Sequence, residues 1–325
     1  MDVNLTLLLA GVLAGAAPIL LATLGETLTE KAGVINLSMD GAILLSDMTA
    51  FVAAYRTGSL AAGFIAGAAT GAAVAAVLAV FTITLRQSQV AVGFVLTLTA
   101  RDLAYFLGNT YARVPGPQAT PLPLPWLAEL PFIGPVLFQH QAPVYMSMVM
   151  IGVVWWFIYR TDAGLKLRAV GENPAAAYVR GIDPRWRQIG YTIVGGLLVG
   201  LAGATFSLAV KPGWGRPQGA EGTGWIALAL VIFGGWHPVR AAVGAYLFSF
   251  LQVMGIHLQG AFEGVPSQVF QVAPFPLMIF TLVIIFMAQR PTVMGTAANR
   301  PALNRLLRVI AGNAPKALGK NWGRP

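Results

Sequence analysis

Long apolar runs alternate with short polar interruptions along this chain, and the runs have the length a bilayer demands. A crossing helix needs about 20 apolar residues at about 1.5 Å of rise each. Charge-poor windows of that order occur at 3–25, 34–55, 57–85, 87–112, 143–159, 189–210, 225–236, 241–256 and 269–288. Window 57–85 is long enough to tilt or protrude, whereas 225–236 is about half a span and is expected to enter without crossing. The pattern predicts an all-α, polytopic integral membrane bundle of about 8–10 transmembrane helices, discontinuous or half-span segments included. The first run, Val3 to Leu24, reads as a span rather than a cleaved leader, because nothing basic precedes it and Asp2 is acidic.

Charge orients the bundle. Placing residues 160–188 in the cytoplasm fixes every other loop by alternation. Lys31, Arg86, the six basic residues from Arg160 to Arg187, Arg240 and the seven from Arg290 onward then share one side, 16 of the 21, as the positive-inside bias requires. Arg56, Arg101, Arg113, Lys211 and Arg216 are left outside. The expected topology is N-out/C-in.

Composition agrees: 56% of residues are hydrophobic and 10% charged, against about 25% charged in a soluble domain. The absence of Cys excludes disulfides, thiolate zinc sites and a Cys nucleophile. Residues 1–290 are read as one membrane domain. Residues 291–325 form a basic cytoplasmic tail, expected to attract anionic membrane lipids; with a single aromatic, Trp322, among its basic residues it gives no reason to expect nucleic acid as a partner. The loop 113–142 is rich in Pro, which prevents a continuous helix and favours extended backbone. It is either a rigid external connector or a platform for an external partner.

Glycines at every fourth residue (Gly11 and Gly15; Gly63, Gly67 and Gly71; Gly196 and Gly200) predict closely approaching helix backbones. The stretch "GETLTEKAGVINLSMDGAILLSDM" puts Asn36, Ser38, Asp40 and Asp47 where a bilayer admits few polar groups. On an unbroken helix Asn36, Asp40 and Asp47 fall within about 40° of one another. A charged side chain at the centre costs about 2.5–3.5 kcal/mol, so that face must avoid lipid. Two readings follow: Asp40 caps a half-helix or pairs with Lys31, or the polar residues line a solute route. Gly33 and Gly41 make a break in this helix plausible. Arg101 and Asp102 lie within window 87–112; adjacent side chains diverge by about 100°, so each is expected to find its own structural partner.

The segment "GENPAAAYVRGI", residues 171–182, specifies a two-turn helix: Asn173 is a preferred N-cap, Pro174 suits the first position, and Gly181 suits the left-handed residue after the end. A helix this short is marginal in water and needs something to pack against. It is either a connector held by the chain's own loops or a docking element.

Three blocks in order, "GETLTEKAGVINLSMDGAILL", "AVGENPAAAYVRGI" and "GWIALALVIFGGWHP", resemble the permease subunits of ATP-binding-cassette importers. The branch is that of branched-chain amino acid, simple-sugar and purine-nucleoside permeases, with the nucleoside type the most similar. The resemblance covers roughly residues 20–290. It implies that 173–181 is the coupling helix seated in a cytoplasmic ATP-binding subunit, with Glu172, Asn173, Pro174, Ala177, Arg180 and Gly181 as its coupling residues. It also implies a second permease subunit, identical or related, an external solute-binding protein, and a bacterial inner-membrane location. Asn36, Ser38, Asp40 and Asp47 become candidates for the translocation pathway. Two departures stand out: Asp40 occupies a position where the family more often has Glu, and Arg101-Asp102 falls where its members are usually small and apolar.

The chain carries no G-x-x-x-x-G-K-[ST] phosphate cradle, no H-E-x-x-H and no G-x-S-x-G. It is therefore expected to catalyse nothing, to need no cofactor or metal, and to draw its energy from another chain. The function expected is transport of a small polar solute, a nucleoside or simple sugar. An ion-coupled secondary transporter, with Asp40 or Asp47 as the ion-responsive carboxylate, is the alternative.

Overall fold

A computed structural model describes residues 5–259, positions 269, 276, 279, 280 and 283, and residues 312–323. Among these the regular structure is helical: α1 Leu5–Lys31, α2 Met39–Thr57, α3 Leu60–Ala79, α4 Gln89–Gly108, α5 Ile133–Leu137, α6 Ala142–Arg160, α7 Asp162–Glu172, α8 Pro174–Val179, α9 Pro184–Thr205, α10 Thr223–Phe233 and α11 Pro238–Gln259. One π-helical turn at Val80–Thr84 extends α3, and another at Phe206–Val210 extends α9. Among the described residues six helices are long and apolar enough to cross a membrane: α1, α3, α4, α6, α9 and α11. To these the fold adds α2, 19 residues long, and the 11-residue half-span α10. The last window, 269–288, and most of the tail lie outside the described residues.

The glycine rows act where helices cross. A Cβ on Gly71 would strike the Gly196 carbonyl and the Gly200 backbone, and one on Gly200 would strike Gly67. Rows predicted separately on α3 and α9 are thus two halves of one crossing, with dispersion between backbones in place of the hydrophobic effect. Gly25 and Gly195 do the same for α1 against α9. Gly11 and Gly15 receive α11, where the Ser249 hydroxyl donates to the Val12 carbonyl at 2.8 Å. The main core lies between α1, α2, α4 and α9, around Leu21, Met39, Ile43, Leu44, Phe51 and Val199.

One boundary differs from the hydropathy pattern. Helix α1 runs on through "GETLTEK" to Lys31, and the chain turns at Gly33 (φ +92°) before α2 begins at Met39. The polar residues at the end of α1 are accommodated because Thr23, Thr27 and Thr29 each donate to the carbonyl four residues back. Asn36 therefore sits in the α1–α2 turn, and only Asp40 and Asp47 share a face of α2. The break suggested by Gly33 is present; at Gly41 the helix continues, with its missing side chain admitting the Thr97 backbone of α4.

The Pro-rich loop forms a short antiparallel pairing. Pro121 bridges Gln141, Leu122 N–H donates to His140 O at 2.9 Å, and Leu124 N–H donates to Phe138 O at 3.0 Å. It is tied to the end of α9 by Ala119 N–H donating to Leu208 O at 2.7 Å.

Candidate functional site

The α1–α2 turn is built around two buried carboxylates. Glu26 accepts from the Asn36 backbone N–H at 2.9 Å, and the Asn36 side-chain oxygen in turn receives the Ser38 N–H at 3.1 Å and the Ser38 hydroxyl. One turn along α1, Glu30 takes the indole N–H of Trp236 beyond the end of α10. Gln89 of α4 accepts from Ile35 N–H at 2.9 Å, and Thr97 donates to Leu37 O at 2.6 Å. Several polar groups of "TEKAGVINLS" are thereby used in folding the turn. Asn36 and Ser38, at 1% and 0% exposure, are committed to its framework.

Asp40 and Asp47 reach a different neighbour, the segment 211–222 and the start of α10. Asp40 Oδ1 accepts from Gly224 N–H at 3.1 Å, capping the half-span. An anion at this end complements the helix dipole and satisfies a donor that lipid could not. Asp47 accepts from Gln218 Nε2 at 3.1 Å, while its carbonyl receives the Ser207 hydroxyl at 2.9 Å from the π turn after α9. The other Asp47 oxygen is buried without a partner. A cavity of about 330 Å³ opens beside Gln218, with Arg113, Lys211 and Trp214 in its lining.

Sequence reasoning missed several residues here. Glu221 accepts the Tyr105 phenol of α4 and the N–H groups of Gln218 and Gly219, the first at 3.1 Å and the second at 2.6 Å. Burial pushes the Glu221 carboxyl up, but these donors outweigh it and hold its pKa below the ordinary value. Arg216 lies 4.8 Å from the Tyr105 ring centre. Arg101 and Asp102, expected to find separate partners, pair with each other at 3.3 Å, because the flexible Arg stem spans the divergence of adjacent positions.

At this same end of α1, where Gly171 packs on the Lys31 carbonyl, stands the predicted short helix. The Asn173 side chain accepts from Ala176 N–H at 3.0 Å, Pro174 opens α8, and Gly181 at φ +79° closes it, with Ile182 N–H donating to Ala177 O at 3.0 Å. Ala177, at 4% exposure, faces the chain's own body, so the outward face is formed by Ala175, Ala176, Tyr178, Val179 and Arg180. Part of the basic tail returns here. Ala317 N–H donates to Gly171 O at 3.0 Å, Gly319 N–H to Gly33 O at 3.1 Å, and Trp322 meets the Tyr178 ring at 5.3 Å.

A half-span with a capped end, beside a polar turn and a capped surface rod, suits a transport subunit. Residues 8–288 match the family described as branched-chain amino acid transport system / permease component. The chain belongs to this permease family. It is 40% identical over 257 residues to a putative glucose ABC transporter permease of Haloferax volcanii, covering 78% of each chain. It is 29% identical to a nucleoside ABC transporter permease of Lactococcus lactis, over 87% of this chain and 92% of the relative. A guanosine ABC transporter permease of Bacillus subtilis is 28% identical, over 86% and 91% respectively. No solved structure matches. The chain is thus the multi-pass permease subunit of an ABC importer, with ATP hydrolysis on a separate subunit and a second permease chain implied. Family membership overturns the ion-coupled alternative.

Proposed function

We propose that this subunit forms half of the passage by which a neutral, hydroxyl-bearing solute, a nucleoside or a simple sugar, is imported across the bacterial inner membrane. The observation that carries the mechanism is the joint placement of Glu30 and Asp40. Glu30 holds the far end of α10 through Trp236, and Asp40 caps its near end. Both lie on the α1–α2 unit, whose turn is bonded through Gly33 O to the tail segment that touches α8. Displacement of α8 by a closing ATP-binding subunit would therefore pull on both ends of the half-span, and so on the polar groups beside Asp47 and Gln218.

In this reading the topology is N-out/C-in, α8 is the coupling helix with Asn173, Pro174 and Gly181 fixing its ends, and Glu172 and Arg180 face the ATP-binding subunit. Asp40 and Asp47 border the route, with Asn36 and Ser38 supporting it from the turn. An external solute-binding protein delivers cargo to the Pro-rich side, and the basic tail meets anionic lipid. A nucleoside is favoured by the "TEKAGVINLSMDG" signature; a simple sugar is the second reading, favoured by the 40% identity to the glucose permease. Uptake of adenosine and of glucose by the complex, reconstituted with its ATP-binding subunit, second permease and binding protein, tests both. Arg180→Glu and Gly181→Pro are expected to abolish uptake of whichever is carried; normal uptake by both variants would reject the role of α8.

A further inference from the structure

We infer that one stripe of α4, facing the start of α10, is a wall that the cargo touches, and that it is built for a neutral ring bearing several hydroxyls. This rests on the import reading above. Phe94, Leu98, Arg101 and Tyr105 recur at helical spacing, so they share one face. The Phe94 ring lies 5.4 Å from that of Trp225 in the first turn of α10, and both are open on their other sides, at 47% and 36% exposure. Next comes the Arg101–Asp102 pair, its side chains 43% and 72% exposed. The stripe ends at the Tyr105–Glu221 pair with Arg216 over the ring.

Asp102 lies within a membrane-spanning helix, 13 residues into the 20-residue α4, about 20 Å from its start and about 9 Å from its end. A charge pair so placed is costly against hydrocarbon, but suits a water-filled passage. The chemistry also selects a cargo. An aromatic platform receives the flat face of a base or the C–H face of a sugar ring. Beyond it stand donors and acceptors of both signs, Arg101 with Asp102 and Arg216 with Glu221. They offer hydrogen bonds to hydroxyls without a net field for an ion. A nucleoside and a hexose share these features.

The chain lacks cysteine, so single-cysteine variants can be read directly. In the complete reconstituted transporter, Leu98→Cys and Asp102→Cys are expected to react with a water-soluble methanethiosulfonate at least about tenfold faster than Ile65→Cys. Ile65 is an exposed residue on α3, here the lipid-facing control. Adenosine or glucose, whichever is carried, should slow that labelling several-fold. Trp225→Ala should raise KM for uptake by about tenfold with little change in maximal rate, and Trp225→Phe should keep KM near the parent value. ATPase activity of each complex verifies assembly. Labelling at the control rate, absence of protection by the carried solute, or an unchanged KM in Trp225→Ala would overturn the inference while leaving import itself intact. If the parent complex carries neither solute, the substrate reading fails first, and the assigned cargo class falls with it.

Discussion

Replacing Asp40 separates a structural carboxylate from an ion-responsive one. Its Oδ1 holds Gly224 N–H at 3.1 Å at the inner end of α10. Loss of a helix N-cap costs about 0.5–2 kcal/mol, and loss of an anion at the positive end of the dipole about 0.3–1 kcal/mol. Asp40 is buried at 7% exposure, so water does not freely replace the missing acceptor. Asp40→Ala should therefore destabilise the folded bundle by about 2 kcal/mol, roughly a 30-fold shift in the folding equilibrium. Asp40→Asn keeps an acceptor oxygen and forfeits mainly the charge, so its loss should stay below about 1 kcal/mol. Unfolding of the purified subunit by SDS titration in mixed micelles measures both, and uptake by the reconstituted complex should follow the same order. If Asn proves as damaging as Ala, the charge rather than the cap is what matters, and the assignment of Asp40 to α10 fails.

Other consequences can be checked alongside. Gly71→Val would force a branched side chain into the Gly196 and Gly200 backbones; the overpacking should cost about 1–3 kcal/mol and appear as a lower yield of folded subunit. Val179→Glu, on the outward face of α8 at 85% exposure, should leave unfolding unchanged but abolish solute-stimulated ATP hydrolysis in the complex. His237 packs on Tyr159 at 5.2 Å, and burial, then Arg240 and Lys31, holds its pKa below the usual 6.5. The unfolded chain therefore binds this proton more readily than the folded one, so the stabilising contribution is whole above pH 6.5 and shrinks as pH falls through the lowered value. His237→Phe should flatten that part of the stability profile, and an unchanged slope would assign the acid sensitivity elsewhere.

Hydropathy located the spans because each described window is apolar enough to declare itself, even the half-span α10. It misplaced the end of α1 because hydropathy sums residues singly. The threonines and Glu26 are tolerated through partners, four residues back for the threonines and at Asn36 for the carboxylate, and no window average contains those bonds. Both ends of α8 were legible, since an N-cap, a first-turn proline and a closing glycine are local signals. The inward orientation of Ala177 was not, because it depends on packing against α7 and α9. The polar site was half visible. Asp40 and Asp47 stood out as costly residues, but Gln218, Glu221, Tyr105 and Trp225 lie more than 50 positions from at least one of their partners and look ordinary one by one. Arg101-Asp102 was conspicuous, yet its exposure could be read only from the folded helix.

The central claim is that solute movement through this chain is driven by a neighbour's ATP hydrolysis. The most direct measurement is solute accumulation in sealed proteoliposomes containing the permease pair and binding protein, with and without the ATP-binding subunit, under ATP or an imposed proton gradient. Accumulation is expected only when that subunit and ATP are both present. Accumulation driven by the proton gradient in its absence would contradict the account.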